Sequence, residues 1–225
     1  MEILENFAVF EGLDGSGTTT QLNILNDIFH PEASVKENLY IAEPAVKYLS
    51  LPPLYITFEP TDGSIGKIIR SGLKKENVLN PQTIAMLFAA DRYEHIFGTN
   101  GVAERCRRGE LVVSDRYFPS SLVYQGITCG EELPAMLNRS FPGPETLIFF
   151  DINPAAAQER LSAREQKEIY EHLNFQIQVR ERYLALLPKL REQGVRVEII
   201  DASASLKEVA GEVWKAIEKM PIFKR

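Results

Sequence analysis

Phe7-Ala-Val-Phe-Glu-Gly-Leu-Asp-Gly-Ser-Gly-Thr-Thr-Thr20 decides how this chain folds. It opens on a short apolar run, passes through Gly12, Gly15 and Gly17, and leads into residues 18–30, where apolar side chains take up helical spacing. Gly12, Gly17 and Thr19 fill the fixed positions of the template G-x-x-x-x-G-K-[ST], and Thr18 stands where that template has lysine. Glycines at these places let successive backbone N–H groups turn inward at the positive end of a helix dipole, which makes a concavity for a polyphosphate. The Thr19 hydroxyl is placed to ligate Mg²⁺. A glycine-rich turn without a ligand is the plainer reading, and the strand before the loop and the helix after it weigh against it.

Outward from the loop, the same alternation continues. Phe7–Phe10, Leu54–Phe58, Leu111–Ser114, Leu147–Phe150 and Val195–Ile200 read as five strands. The first four are apolar on nearly every residue, as strands buried on both faces are; the last alternates and belongs nearer an edge. Residues 18–30, 81–98, 154–163, 169–193 and 205–219 carry helical spacing. Asn80-Pro81 and Asn153-Pro154 each offer a capping side chain followed by proline in the first turn. Strand and helix in alternation predict an α/β fold: a central five-stranded parallel sheet in a three-layer P-loop NTPase arrangement, flanked by helices and carrying a small lid. With no repeat and no linker, residues 1–225 are read as one domain. Residues 31–53 break the rhythm with four prolines and read as an insertion. Residues 160–172 are polar and read as the lid, with a plain solvated helix as the alternative.

A composition of 44% hydrophobic and 25% charged residues is that of a globular chain, and a net charge of −6 argues against nucleic acid or an anionic membrane as partner. Two cysteines without metal-ligand spacing, no apolar run of spanning length and no basic leader fit a cytoplasmic protein.

Phe10-Glu-Gly-Leu-Asp-Gly-Ser-Gly-x-Thr-Thr-Gln21 resembles the opening of thymidylate kinase, and further segments in order strengthen the likeness: Phe58-Glu-Pro-Thr-Asp-Gly63 with Ile65–Arg70, Leu87-Phe-Ala-Ala-Asp-Arg92, Asp115-Arg-Tyr-Phe-Pro-Ser-Ser-Leu-Val-Tyr-Gln125, and Glu168–Glu171 ahead of Arg180–Tyr183. The resemblance implies ATP as co-substrate, Mg²⁺ as cofactor, dTMP as acceptor and a homodimer. It places the ATP phosphates on Gly12, Gly15, Ser16, Gly17, Thr18, Thr19 and Thr20, and Mg²⁺ on Thr19 and, partly through water, Asp115. The acceptor falls to Glu59, Arg70, Phe88, Arg92, Arg116, Ser120, Ser121, Tyr124 and Gln125. Phe88 and Arg92, four apart on one helix face, suit a ring stacked on a base and a guanidinium on a pyrimidine carbonyl; core packing for Phe88 and a surface ion pair with Asp91 for Arg92 are the alternatives. Asp14, Arg116, Arg164 and Arg160 are the expected catalytic groups.

The departures from the family pattern concern charge. Thr18 replaces lysine, Phe58 replaces arginine, and Ile169 stands where the lid often has arginine. A charged hydrogen bond to phosphate contributes roughly 1.5–3 kcal/mol, and loss of one donor aimed at transition-state charge slows a reaction about a hundred- to a thousandfold. Arg160, Arg164, Lys167, Lys36 and Lys47 are the candidates to fill the gap. Two alternatives follow: a nucleotide-binding protein that transfers phosphate poorly, and a kinase for another pyrimidine deoxynucleotide.

Overall fold

The computed structural model describes residues 1–30, 51–74, 76–161 and 172–224. Most of the 31–53 insertion, and the lid apart from Arg160, Leu161 and His172, lie outside the described residues. Five strands, β1 (Ile3–Gly12), β2 (Leu54–Phe58), β3 (Leu111–Asp115), β4 (Gly143–Asp151) and β5 (Arg196–Asp201), form one parallel sheet in the order β2-β3-β1-β4-β5. β1 lies between β3 and β4, with Phe10 level with Asp115 and Gly12 level with Phe150. The chain leaves β1 to one side of the sheet and later returns to the other, so the carboxyl end of β1 is the switch point where ligands bind in open parallel sheets.

Burial follows strand position. Phe7 to Phe10, Leu111 to Val113 and Leu147 to Phe150 are fully inaccessible to solvent. β5 lies at an edge, as its alternation predicts. β2 lies at the other edge, contrary to its apolar pattern, and Phe58 at its end is 40% exposed. With a neighbour on one side only, an edge strand keeps apolar residues that are half covered.

The helices among the described residues are α1 (Thr18–Phe29), α2 (Ser64–Leu73), α3 (Pro81–Phe97), α4 (Val102–Arg107), α5 (Phe118–Cys129), α6 (Glu132–Asn138), α7 (Pro154–Leu161), α8 (Leu173–Glu192) and α9 (Leu206–Ile217). Two groups flank the sheet: α1 packs with α9, while α2, α3, α5, α6 and α8 form a continuous layer. Asn80 and Asn153 cap α3 and α7 through Gln82 N–H and Ala155 N–H. Periodicity alone does not reveal α2, α4, α5 and α6. For α5 the cause is physical: Pro119, Gly126 and β-branched residues weaken its propensity, and burial of Ser121, Val123, Tyr124, Gln125 and Gly126 erases any polar face. No helix among the described residues is long and apolar enough to cross a membrane.

Phe10 packs on Phe150 across the centre of the sheet, with ring centroids 5.2 Å apart. Phe10→Ala removes a fully buried ring beneath the phosphate loop and is expected to cost about 3–5 kcal/mol. Urea denaturation checks this as a lower midpoint with an unchanged slope.

Candidate functional site

The amino end of α1 opens into a cavity of about 380 Å³ lined by Gly15, Ser16, Gly17, Thr18, Thr19, Thr20 and Gln21 on one wall and Arg160, Leu161, Ala202, Ala204, Leu206 and Val209 on the other. Gly15 and Gly17 sit at φ +85° and +98°, which side chains with a Cβ rarely adopt. A Cβ on Gly12 would stand 2.5 Å from Ser16 Oγ, so the loop also needs glycine there for closeness. No side chain caps α1. The first-turn N–H groups of Thr18, Thr19 and Thr20 have no acceptor within the helix and are open to an anion.

Thr19 Oγ1 donates to Asp115 Oδ2 at 2.8 Å, which joins the loop to the end of β3. Asp115 Oδ1 is buried and has no hydrogen-bond partner among the described residues. One hydroxyl and one carboxylate with an oxygen to spare form a hard-oxygen set that fits Mg²⁺. Thr18, at the lysine position of the template, is buried on the same wall. Arg160 reaches this cavity, but its Nη2 donates to the Ala202 carbonyl at 3.0 Å, which holds the guanidinium at the β5 end. Arg164, Lys167, Ile169, Lys36 and Lys47 lie outside the described residues.

A second cavity, of about 100 Å³, is lined by Asp14, Glu59, Pro60, Leu73, Phe88, Arg92, Arg116, Tyr117, Ser120, Ser121, Tyr124 and Gln125. It brings together every acceptor residue expected from the sequence except Arg70. Adjacent residues of the loop border the two cavities, Asp14 the one and Gly15 the other.

Arg116 stands at that junction. Its Nη1 donates to the Gly12 carbonyl at 2.8 Å and its Nη2 to Asp14 Oδ1 at 2.5 Å, and its guanidinium lies 5.2 Å from the centre of the Tyr124 ring. Asp14 is also held by Gln176 Nε2 from α8, at 3.2 Å. Arg116 has φ +71°, the left-handed region, with its N–H on the Phe10 carbonyl at 2.9 Å. A non-glycine residue kept in that region stores local strain, and such residues cluster at functional sites.

Beneath Arg116 lies Glu11, fully buried on β1. Its Oε1 accepts from the N–H groups of Tyr117 and Ser120, at 3.0 and 3.3 Å. It thereby caps α5 from another element, a carboxylate at the positive end of the helix. Its Oε2 lies 2.7 Å from both Ser120 Oγ and Tyr183 Oη, and 3.9 Å from Arg116 Nη1. Burial pushes the Glu11 carboxyl above its ordinary 4.5, against the pull of Arg116 and these hydrogen bonds. Burial, with Glu11 beside it, raises the Tyr183 phenol as well, so that group remains a donor. Sequence reasoning gave Glu11, Tyr183 and Gln176 no role. A glutamate inside an otherwise apolar strand was the available signal for the first.

Arg92 is 1% exposed, and the surface pair with Asp91 does not exist; Asp91 instead accepts from Thr61 N–H and Oγ1. The guanidinium meets Glu59 Oε2 at 2.8 Å through Nε and at 2.7 Å through Nη2, Asn138 Oδ1 at 2.5 Å and Ser121 Oγ at 3.0 Å. A helix residue reaching across to the end of β2 is a tertiary fact that neighbours in sequence do not encode.

Arg70 lines neither cavity, contrary to expectation. Its Nη1 and Nη2 donate to the carbonyls of Thr61 and Pro60, and its guanidinium stacks 5.5 Å from the Phe58 ring. With donors committed to that turn and a carboxylate, Asp62, 3.3 Å away, it braces the segment after β2.

The family model described as thymidylate kinase matches residues 41–213. A Treponema pallidum (strain Nichols) protein is 37% identical over 91% of this chain and 89% of its own. A Pyrobaculum aerophilum protein is 35% identical over 97% of this chain and 99% of its own. A Methanococcus maripaludis (strain C6) protein is 33% identical over 97% of this chain and 98% of its own. Each carries the name thymidylate kinase on the strength of similarity.

The raised Glu11 carboxyl has a measurable consequence. The folded state keeps this proton to a higher pH than the unfolded chain, so above 4.5 it binds more protons and this group's contribution to stability falls as pH rises. Glu11→Gln removes that slope. Denaturation of the two proteins from pH 4.5 upward is expected to show wild type losing stability relative to Glu11→Gln; parallel curves contradict the assignment.

Proposed function

This chain is a member of the thymidylate kinase family, and from that premise we propose that it transfers the γ-phosphoryl group of ATP to dTMP, giving ADP and dTDP. The observation that carries the proposal is the pairing at Asp14 and Gly15: a wall of loop and helix-start amides and a smaller, partly open cavity share one loop. An oxygen of the dTMP phosphate attacks the γ-phosphorus while the bond to the β–γ bridging oxygen breaks. Phosphoryl transfer of this kind asks for alignment and charge neutralisation more than for covalent chemistry from the protein.

The loop from Gly12 to Thr20 orients the donor phosphates through its amides. Thr19 and Asp115 would hold Mg²⁺, directly or through water, and that ion supplies neutralisation of charge between the β- and γ-phosphates. Arg116 binds the acceptor phosphate from the junction, released in part from Asp14 as the anion arrives. Phe88 and Arg92 face the base, the ring by stacking and the guanidinium by donation to a carbonyl, which thymine offers at C4 and cytosine does not. Ser120, Ser121, Tyr124 and Gln125 complete the wall from α5, and Glu59 acts through Arg92. Arg164 is the candidate for the cation that Thr18 does not provide, since Arg160 is held at Ala202. The protein works in the cytoplasm as a homodimer; the family resemblance and the exposed Met86, Tyr93 and Phe97 on α3 support the latter.

A second reading, nucleotide binding with little turnover, is favoured by the buried Thr18 and the exposed Phe58 at two positions where the family pattern has cations. One set of measurements separates them: ADP formation with dTMP, dUMP, dCMP and dGMP beside calorimetry with ATP and dTMP. Mg²⁺-dependent turnover with dTMP is expected, and Arg116→Ala should lower kcat/KM by about a hundredfold or more. Binding of both nucleotides without turnover of any acceptor would sink the kinase reading. Thr18→Lys then reports on the gap: a gain in kcat means that nothing replaces the lysine, a loss that the site is built around threonine.

A further inference from the structure

His95 is a titratable group with a largely buried side chain that the proposed chemistry leaves unused. It follows Arg92 by three residues on α3 and is 8% exposed at its side chain. Its Nδ1 lies 3.0 Å from Glu59 Oε1, and its Nε2 lies 2.7 Å from Thr57 Oγ1. Thr57 is the buried residue of β2 and Glu59 follows that strand, so one imidazole spans from α3 to the wall of the acceptor cavity.

Glu59 divides its two oxygens. Oε2 takes Arg92, and Oε1 takes His95. A carboxylate only accepts, so His95 presents Nδ1–H to it, and Nε2 lies within hydrogen-bond reach of the Thr57 hydroxyl. Glu59 is thereby pinned from both sides, and Arg92 with it. Of the five N–H groups of Arg92, those on Nε and Nη2 meet Glu59 and Ser121 and one on Nη1 meets Asn138. One Nη1 hydrogen has no partner among the described residues, and Arg92 lines the cavity.

We propose that His95 is a positioning residue for base recognition: held by Thr57, it fixes Glu59, which aims the remaining Arg92 donor at a carbonyl of the pyrimidine. The inference rests on the dTMP reading above, and it concerns selectivity rather than the transfer step. An amide can imitate either ring nitrogen. Asn at 95 puts its Nδ2 near the place of Nδ1 and still donates to Glu59; Gln reaches toward Thr57 and loses Glu59.

The test is steady-state kinetics of wild type, His95→Asn and His95→Gln with dTMP and dCMP at saturating ATP. Wild-type turnover of dTMP establishes the kinase reading by itself, so the two ideas fail separately. His95→Gln should raise the KM for dTMP about tenfold, the effect of one lost hydrogen bond to a charged group. Its kcat should stay within about threefold, and its preference for dTMP over dCMP should narrow, as loss of binding rather than chemistry requires. His95→Asn should keep the wild-type KM and preference. Equal behaviour of the two variants, or changes in kcat and in the KM for ATP alongside dTMP, would overturn the proposal and leave His95 a packing residue. A measurement on the unmodified protein stands apart from any folding defect: nitrogen NMR of the ¹⁵N-histidine-labelled chain should show His95 protonated at Nδ1, the nitrogen that faces Glu59. The opposite tautomer at His95 would contradict the arrangement.

Discussion

Arg116 is the point on which both cavities depend. Its guanidinium joins the carbonyl of Gly12 to the carboxylate of Asp14, so the phosphate loop is tied to the end of β3. The backbone that carries it is strained at φ +71° and is held there by its N–H on Phe10 and by Ser114 Oγ on its carbonyl at 2.8 Å. Strain of this kind costs on the order of 1–3 kcal/mol and persists only where the surroundings over-determine it. Here Glu11, buried below, supplies part of that surrounding: it caps α5, meets Tyr183 of α8 and faces Arg116. Four elements thus converge on one ion-paired, hydrogen-bonded cluster at the sheet's switch point.

What the sequence made legible was local. Gly12, Gly17 and Thr19 announce their loop because their roles depend on backbone geometry within a few residues. Four strands announce themselves because parallel strands under helices are apolar nearly throughout, and β5 announces itself by its alternation. Phe88 and Arg92 share a face because four residues make about one helical turn. What stayed illegible was decided across the fold. Helix α5 brings Ser120, Ser121, Tyr124 and Gln125 to the second cavity, yet it is too buried to show a period, and its cap comes from Glu11 on another element. The partners of Arg92 sit on β2's end, α5 and α6, and no spacing rule connects Glu59, Ser121 and Asn138 to it. Arg70, expected at the acceptor, donates instead to the turn beside Phe58.

The missing lysine takes on a sharper shape in this geometry. Thr18 lines the same cavity, and Arg160, the one arginine that lines it among the described residues, donates to the Ala202 carbonyl. Among the described residues, Arg116 supplies positive charge at the junction, with backbone amides as the rest of the cradle. Amides arranged at a helix start bind anions without a side-chain cation, which makes donor binding less sensitive to the substitution than the transfer step. The buried acceptor side is intact by comparison, with Arg92 and its carboxylate fully sequestered.

The central claim is that donor and acceptor lie in the two cavities at once and meet at Asp14 and Gly15. A bisubstrate analogue, adenosine and thymidine joined 5′ to 5′ through a polyphosphate, tests it most directly by inhibition kinetics and calorimetry. Competition against both ATP and dTMP, with one molecule bound per chain more tightly than either nucleotide alone, is the expected result. Competition against only one nucleotide, or simultaneous binding of the analogue and dTMP, would contradict it.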